Sequence, residues 1–179
     1  MSIAAADWIA HHARVSPERV AIHDIASNRQ FTYERFDGRI TRLALYLHSL
    51  GVEVGDRVAV LSHNDSDVFE IQFACQRLGV IFLPLNWRLA VPELEFICND
   101  AMPKALIFGM EFADIAANLK GLTDVAHGIV TNNGGDSTYE AGIAAATGSL
   151  PLRNNRLSDT WTIMYTSGTT GRPKGAINT

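Results

Sequence analysis

The sequence predicts an α/β fold with a largely parallel sheet flanked by helices. Short aliphatic runs alternate with longer stretches of helical periodicity, the pattern of successive βαβ units. The runs are apolar throughout rather than alternating, as expected of strands covered on both faces. Gly51, Gly55, Gly79 and Pro84 fall between segments, where the chain must turn.

Residues 3–15 read as an amphipathic helix with Ile3, Ala6, Trp8, Ile9 and Ala13 on its apolar side, ended by Ser16-Pro17 because the residue before proline avoids helical geometry. Val20 to Asp24 and Gln30 to Tyr33, joined by a turn over Ser27-Asn28-Arg29, predict a β-hairpin. Thr32 is placed to cap the next helix, with Arg35 where a capping box would have Glu. Phe36, Ile40, Leu43, Leu47 and Leu50 form one helical face, and Gly51 stands where a helix-terminating glycine belongs. After the Gly55-Asp56 turn, Arg57 to Leu61 predicts a strand. A helix from Ser66 or Asp67 to Leu78, closed by Gly79, leads to a buried strand over 80–83, stopped by Pro84. Pro92 opens a helix to about Asn99, since proline is tolerated in a first turn. Strands are expected over 105–108, 128–131 and 161–165, helices over 110–119 and 137–146, and a connecting loop over 147–160.

The chain has 179 residues, 47% hydrophobic and 19% charged, which suits one ordered globular domain. Its net charge of −4 argues against nucleic-acid or membrane-surface binding, which call for a basic patch. Cys75 and Cys98 sit in apolar stretches without metal-ligand spacing and read as buried free thiols of a reducing compartment. Asp7 interrupts the apolar start and no basic cluster precedes it, so no secretory leader is expected. No apolar run approaches the roughly 18 residues of a membrane span. The expected location is cytoplasmic. His11, His12 and His63 read as surface or loop histidines, and Asn86-Trp87-Arg88 as a loop holding a packed tryptophan and a solvated arginine.

The chemistry is concentrated after Tyr165. Thr166-Ser167-Gly168-Thr169-Thr170-Gly171-Arg172-Pro173-Lys174-Gly175 holds three glycines, four hydroxyls and two cations. Glycines allow close backbone approach, successive N–H groups can form an anion nest, and Lys174 and Arg172 add positive charge. The pattern is that of a polyphosphate cradle at the C-terminal end of a parallel strand. It is not a Walker A loop, because Lys174 precedes Gly175 and Ala176 follows where Ser or Thr is required.

Met164 through Gly175 resembles the signature loop of the adenylate-forming superfamily, which includes acyl-CoA synthetases, the adenylation domains of nonribosomal peptide synthetases and firefly luciferase. Phe31-Thr32-Tyr33-Glu34-Arg35-Phe36 is similar to the family's first core motif, with Phe36 where leucine is usual. Gly51-Val52 through Leu61, and Arg77-Leu78-Gly79-Val80 through Pro84-Leu85-Asn86, resemble further motifs. Leu85-Asn86-Trp87-Arg88-Leu89 looks more like bacterial acyl-CoA synthetases than peptide-synthetase domains. The likeness covers nearly the whole chain and is weakest between residues 110 and 155.

The resemblance implies a carboxylate–CoA ligase that joins a carboxylic acid to AMP, releases pyrophosphate, and passes the acyl group to coenzyme A. It implies Thr166, Ser167, Gly168, Thr169, Thr170, Gly171, Arg172, Lys174 and Gly175 as ATP-binding residues, Lys174 as a catalytic one, and Thr166 near a magnesium ion. Expected ligands are ATP, Mg and CoA with a small carboxylic acid; a homo-oligomer stays open. The resemblance also implies that residues 1–179 are the N-terminal part of the AMP-binding domain, without the later magnesium, ribose and lysine motifs. The fragment alone is therefore expected to be inactive. Two alternatives stay open: an adenylation domain loading a carrier protein, and a non-catalytic nucleotide-binding module.

Overall fold

The computed structural model describes residues 5–132, 134–151, 155–167 and 172–179, and of Ser167 the backbone alone. Helix α1 spans Trp8–Val15, and its start is fixed by Asp7, whose carboxylate accepts from the Ala10 N–H at 2.9 Å. The expected start at residue 3 is thus too early by five residues, because Asp7 caps rather than continues the helix. Strands β1 (Val20–Asp24) and β2 (Arg29–Thr32) form the expected antiparallel hairpin. Thr32 caps α2 (Tyr33–Ser49), accepting from Arg35 N at 3.3 Å. Gly51, at φ +78°, donates to His48 O, and Val52 donates to Leu47 O. This pair of bonds closes α2 and needs the left-handed residue that glycine supplies.

Strands β3 (Arg57–Leu61), β4 (Ile81–Pro84), β5 (Ala105–Gly109), β6 (His127–Thr131), β7 (Thr162–Ser167) and β8 (Pro173–Asn178) make one sheet in the order β6-β5-β3-β4-β7-β8. The first five strands in that order run parallel, and β8 is antiparallel to β7 at the edge. The strand β8 is absent from the sequence expectation, and Pro84 is the last residue of β4 rather than its stop. Helices α3 (Ser66–Leu78), α4 (Val91–Ala101), α5 (Ala113–Leu122) and α6 (Thr138–Ala145) connect the parallel strands, with a 3₁₀ turn at Met110–Phe112 ahead of α5.

Successive strand residues feed two cores. Val58, Val60, Phe82, Ala105, Ile107 and Ile129 pack with α2, α3 and α6. Ala59, Leu61, Leu83 and Leu106 pack with α4 and α5. Both faces being covered is why the strands carry no polar alternation. Cys75 belongs to the first core and Cys98 to the second, and both are buried free thiols. Burial pushes both thiols up, Cys98 to about 11, so neither carries thiolate at neutral pH.

A buried charge network ties the first core together. Arg39 of α2 donates to both oxygens of Glu70 in α3, one of these bonds at 3.0 Å, and to both oxygens of Glu140 in α6 at 2.9 and 2.6 Å. The fully buried Tyr139 hydroxyl donates to Glu70 at 2.8 Å. Burial raises the pKa of Glu70, against the pull of Arg39. Nearby, the Asp24 carboxylate ends β1 and accepts from the N–H groups of Ala26, Ser27 and Ser66 and from Ser66 Oγ, at 3.1–3.3 Å.

Burial works to raise the Asp24 pKa, but these hydrogen bonds outweigh it and hold the group at about 2. The unfolded value is about 3.9, so the folded state favours the ionised form. The stabilisation is fully present above about pH 4 and lost as pH falls toward 2, and it amounts to about 2–3 kcal/mol. Urea unfolding at pH 4 and pH 2 is expected to show that loss in the native sequence, and a smaller loss in Asp24→Asn. An equal loss in both would remove Asp24 as the source.

Candidate functional site

The segment expected to carry the chemistry is the mouth of the β7–β8 hairpin. Strand β7 lies parallel beside β4, with Phe82 opposite Thr162, so its C-terminal end opens on the carboxyl edge of the parallel sheet. Strand β8 returns along it in the register Tyr165–Gly175, Thr166–Lys174 and Ser167–Pro173. Pro173 is the first residue of an edge strand, a place where a missing N–H costs no ladder bond.

Gly168, Thr169, Thr170 and Gly171 of the expected cradle lie outside the described residues. Their two flanks are placed. Thr166 and Lys174 are direct cross-strand partners, so their side chains stand on one face of the sheet, with Cβ atoms about 4.5–5.5 Å apart. Thr166, Arg172 and Lys174 are all exposed. Among the described residues neither Lys174 nor Arg172 is in an ion pair, so their charges are not spent inside the protein. The two flanks therefore present a hydroxyl, a lysine and an arginine on either side of the glycine- and threonine-rich residues 168–171 in sequence. That set can hold an anion with several oxygens.

Gly175 stands on the other face, opposite Tyr165. The Tyr165 hydroxyl donates to Asp100 in the last turn of α4. Burial first, and then Asp100, pushes the Tyr165 pKa above its usual range, so the phenol stays protonated.

Other residues singled out in the sequence gather at the same sheet edge. His63 follows β3, and its ring packs at 4.6 Å from Trp87 and 5.1 Å from Phe112, centroid to centroid. Its Nδ1 is 3.9 Å from Glu111. Trp87 packs on the His63 and Phe112 rings yet stays 36% exposed, with the Arg88 guanidinium 4.2 Å over its ring. This assembly spans the loops after β3, β4 and β5, whose chains leave toward opposite faces of the sheet. No single segment of sequence reveals it.

His12 packs on Tyr33 at 4.9 Å, and the exposed His11 ring meets it edge-on at 5.2 Å, centroid to centroid. No group of three or more His, Cys, Asp or Glu among the described residues forms a metal-binding cluster. An apolar cavity of about 240 Å³ lined by Trp8, Phe73, Leu157 and Trp161 lies at the amino edge of the strands, away from the hairpin mouth. No helix among the described residues is long and apolar enough to cross a membrane.

The sequence profile of a family described as AMP-binding enzyme matches residues 9–179. The chain is 37% identical over 172 residues to a feruloyl-CoA synthase of an Amycolatopsis species, covering 96% of this chain and 32% of that protein. It is 34% identical to the long-chain-fatty-acid–CoA ligase FadD13 of Mycobacterium tuberculosis, over 93% of this chain and 33% of that one. The crystal structure of an inhibitor-bound N-terminal domain of FACL13 from Mycobacterium tuberculosis superposes with a TM-score of 0.84 at 30% identity, over 95% of this chain and 42% of that chain. The chain thus spans about a third of the length of the curated relatives it matches.

Proposed function

Because the chain belongs to the AMP-binding enzyme family, we propose that it supplies the ATP-polyphosphate site of an acid–thiol ligase of the acyl-CoA synthetase type. The observation that carries this is the pairing of Thr166 with Lys174 at the carboxyl edge of the sheet, with the lysine in no ion pair among the described residues. The named activities of the relatives, which are CoA ligases for aryl and fatty acids, agree with it.

In the proposed reaction a carboxylate oxygen of the acid bonds to the α-phosphorus of ATP as the bond to the β-phosphate oxygen breaks. Pyrophosphate leaves with that electron pair, and an acyl-adenylate remains. The sulfur of coenzyme A then bonds to the acyl carbon, and AMP leaves. The first step is limited by charge gathering on the departing pyrophosphate.

Lys174 meets that charge directly, and Arg172 adds a second cation at the rim. The backbone N–H groups and hydroxyls from Ser167 to Gly171 would surround the β- and γ-phosphate oxygens. Thr166 offers a hard oxygen donor suited to Mg²⁺, and among the described residues no group of three or more His, Cys, Asp or Glu forms a metal-binding cluster. A site with few protein ligands fits an ion that keeps its waters and takes other ligands from the phosphates. Magnesium, when bound, would neutralise phosphate charge.

The test is pyrophosphate release by the enzyme that carries this segment, supplied with Mg-ATP, coenzyme A and a panel of aryl and aliphatic acids. Release that depends on the acid supports the reading, and acid-independent hydrolysis or none overturns it. A phosphopantetheinyl carrier protein offered in place of coenzyme A separates the ligase from a carrier-loading domain.

A further inference from the structure

The face of the hairpin opposite Thr166 and Lys174 is built around a missing side chain. A Cβ on Gly175 would stand 2.9 Å from Ile163 Cγ2 and 3.2 and 3.3 Å from Cζ and Cε2 of Tyr165. The Tyr165 ring therefore lies on bare backbone of the neighbouring strand, an aromatic covering a cross-strand glycine. Neither contact yields cheaply. Ile163 is β-branched and stiff at χ1, and the Tyr165 ring is tethered through its hydroxyl to Asp100. Asp100 is itself held, because Arg57 of β3 donates to Ala101 O at 2.5 Å and to Met102 O at 2.8 Å, fixing the end of α4.

We infer that Tyr165, seated on Gly175 and tied to Asp100, is a positioning residue that sets the register of β7 against β8 and so holds Lys174 opposite Thr166. The inference deepens the proposed function, and rests on it for what Lys174 touches. Thr166 and Lys174 are the next pair along the ladder from Tyr165 and Gly175. A slip of one residue in β8 would turn Lys174 to the α4 face and away from Thr166. Gly175 then has a reason for being glycine other than close approach of a phosphate.

The experiment uses the 179-residue chain and two readouts: amide hydrogen exchange along the sheet, and titration with inorganic pyrophosphate. In Gly175→Ala and Tyr165→Ala, the amides of β7 and β8 that are hydrogen-bonded across the hairpin are expected to exchange at least ten-fold faster, with β3 and β5 unchanged. Pyrophosphate affinity is expected to fall at least ten-fold in the same variants. Tyr165→Phe, which loses only the hydroxyl, and Asp100→Ala are expected to give smaller changes confined to those amides. Asp100→Asn, whose side-chain oxygen still accepts, is expected to restore most of the loss. Exchange within two-fold of the native chain in Gly175→Ala and Tyr165→Phe would overturn the inference, as would Asp100→Asn behaving like Asp100→Ala. If the native chain fails to bind pyrophosphate, the phosphate site fails, and the exchange rates still decide the clamp.

Discussion

Arg39→Met is expected to cost about 3–5 kcal/mol of stability, because it strands a buried carboxylate. Glu70 is fully buried, and both its oxygens receive their charge-assisted bonds from Arg39. With the guanidinium gone, only the Tyr139 hydroxyl among the described residues still donates to it. Glu140 loses its two bonds at the same time. A domain of this kind has about 5–15 kcal/mol in all, so the loss takes a large share. Urea denaturation at neutral pH checks it. Adding Glu70→Leu to Arg39→Met is expected to recover part of the loss, since the fully buried carboxylate is removed with its partner while the partly exposed Glu140 stays behind. If the single variant unfolds at the native urea concentration, the network contributes nothing.

Lys174→Ala is expected to slow acid-dependent ATP–pyrophosphate exchange by the whole enzyme about 10²–10³-fold, the range for losing one preorganised group at a developing oxyanion. Its unfolding midpoint should not move, because Lys174 is exposed and in no ion pair among the described residues. Lys174→Arg should recover only part of the rate, since a planar fork does not reproduce a compact point charge. Exchange unchanged in Lys174→Ala would remove the residue from the reaction.

Most of the parallel sheet is legible in the sequence because its strands are short, largely apolar at their centres and punctuated. Residues 58–61 and 105–108 stand out as apolar blocks, and Gly51 and Gly79 mark helix ends by a backbone need that few other residues meet. What stayed hidden depends on distance in space. Arg39 reaches Glu70 and Glu140 across 31 and 101 residues, and nothing local in the chain announces the match. Strand β8 was hidden because Lys174-Gly175-Ala176 reads as the tail of a polar loop. It becomes a strand only by pairing with β7, where tertiary pairing overrides weak local propensity.

The candidate site divides the same way. Thr166, Arg172 and Lys174 were picked out by residue type, but their arrangement was not. That Thr166 and Lys174 face each other, and that Gly175 belongs to the opposite face, follows only from the antiparallel register. Trp87 packs as the sequence suggests, on His63, Phe112 and Arg88, but these partners come from separate segments and leave it 36% exposed.

The most direct measurement is a pyrophosphate titration of the ¹⁵N-labelled 179-residue chain followed amide by amide. Shifts concentrated in residues 166–175, saturating in the native chain and lost in Lys174→Ala, are the predicted result. Saturable shifts elsewhere with none at the hairpin mouth, or the same titration in Lys174→Ala, would contradict the account.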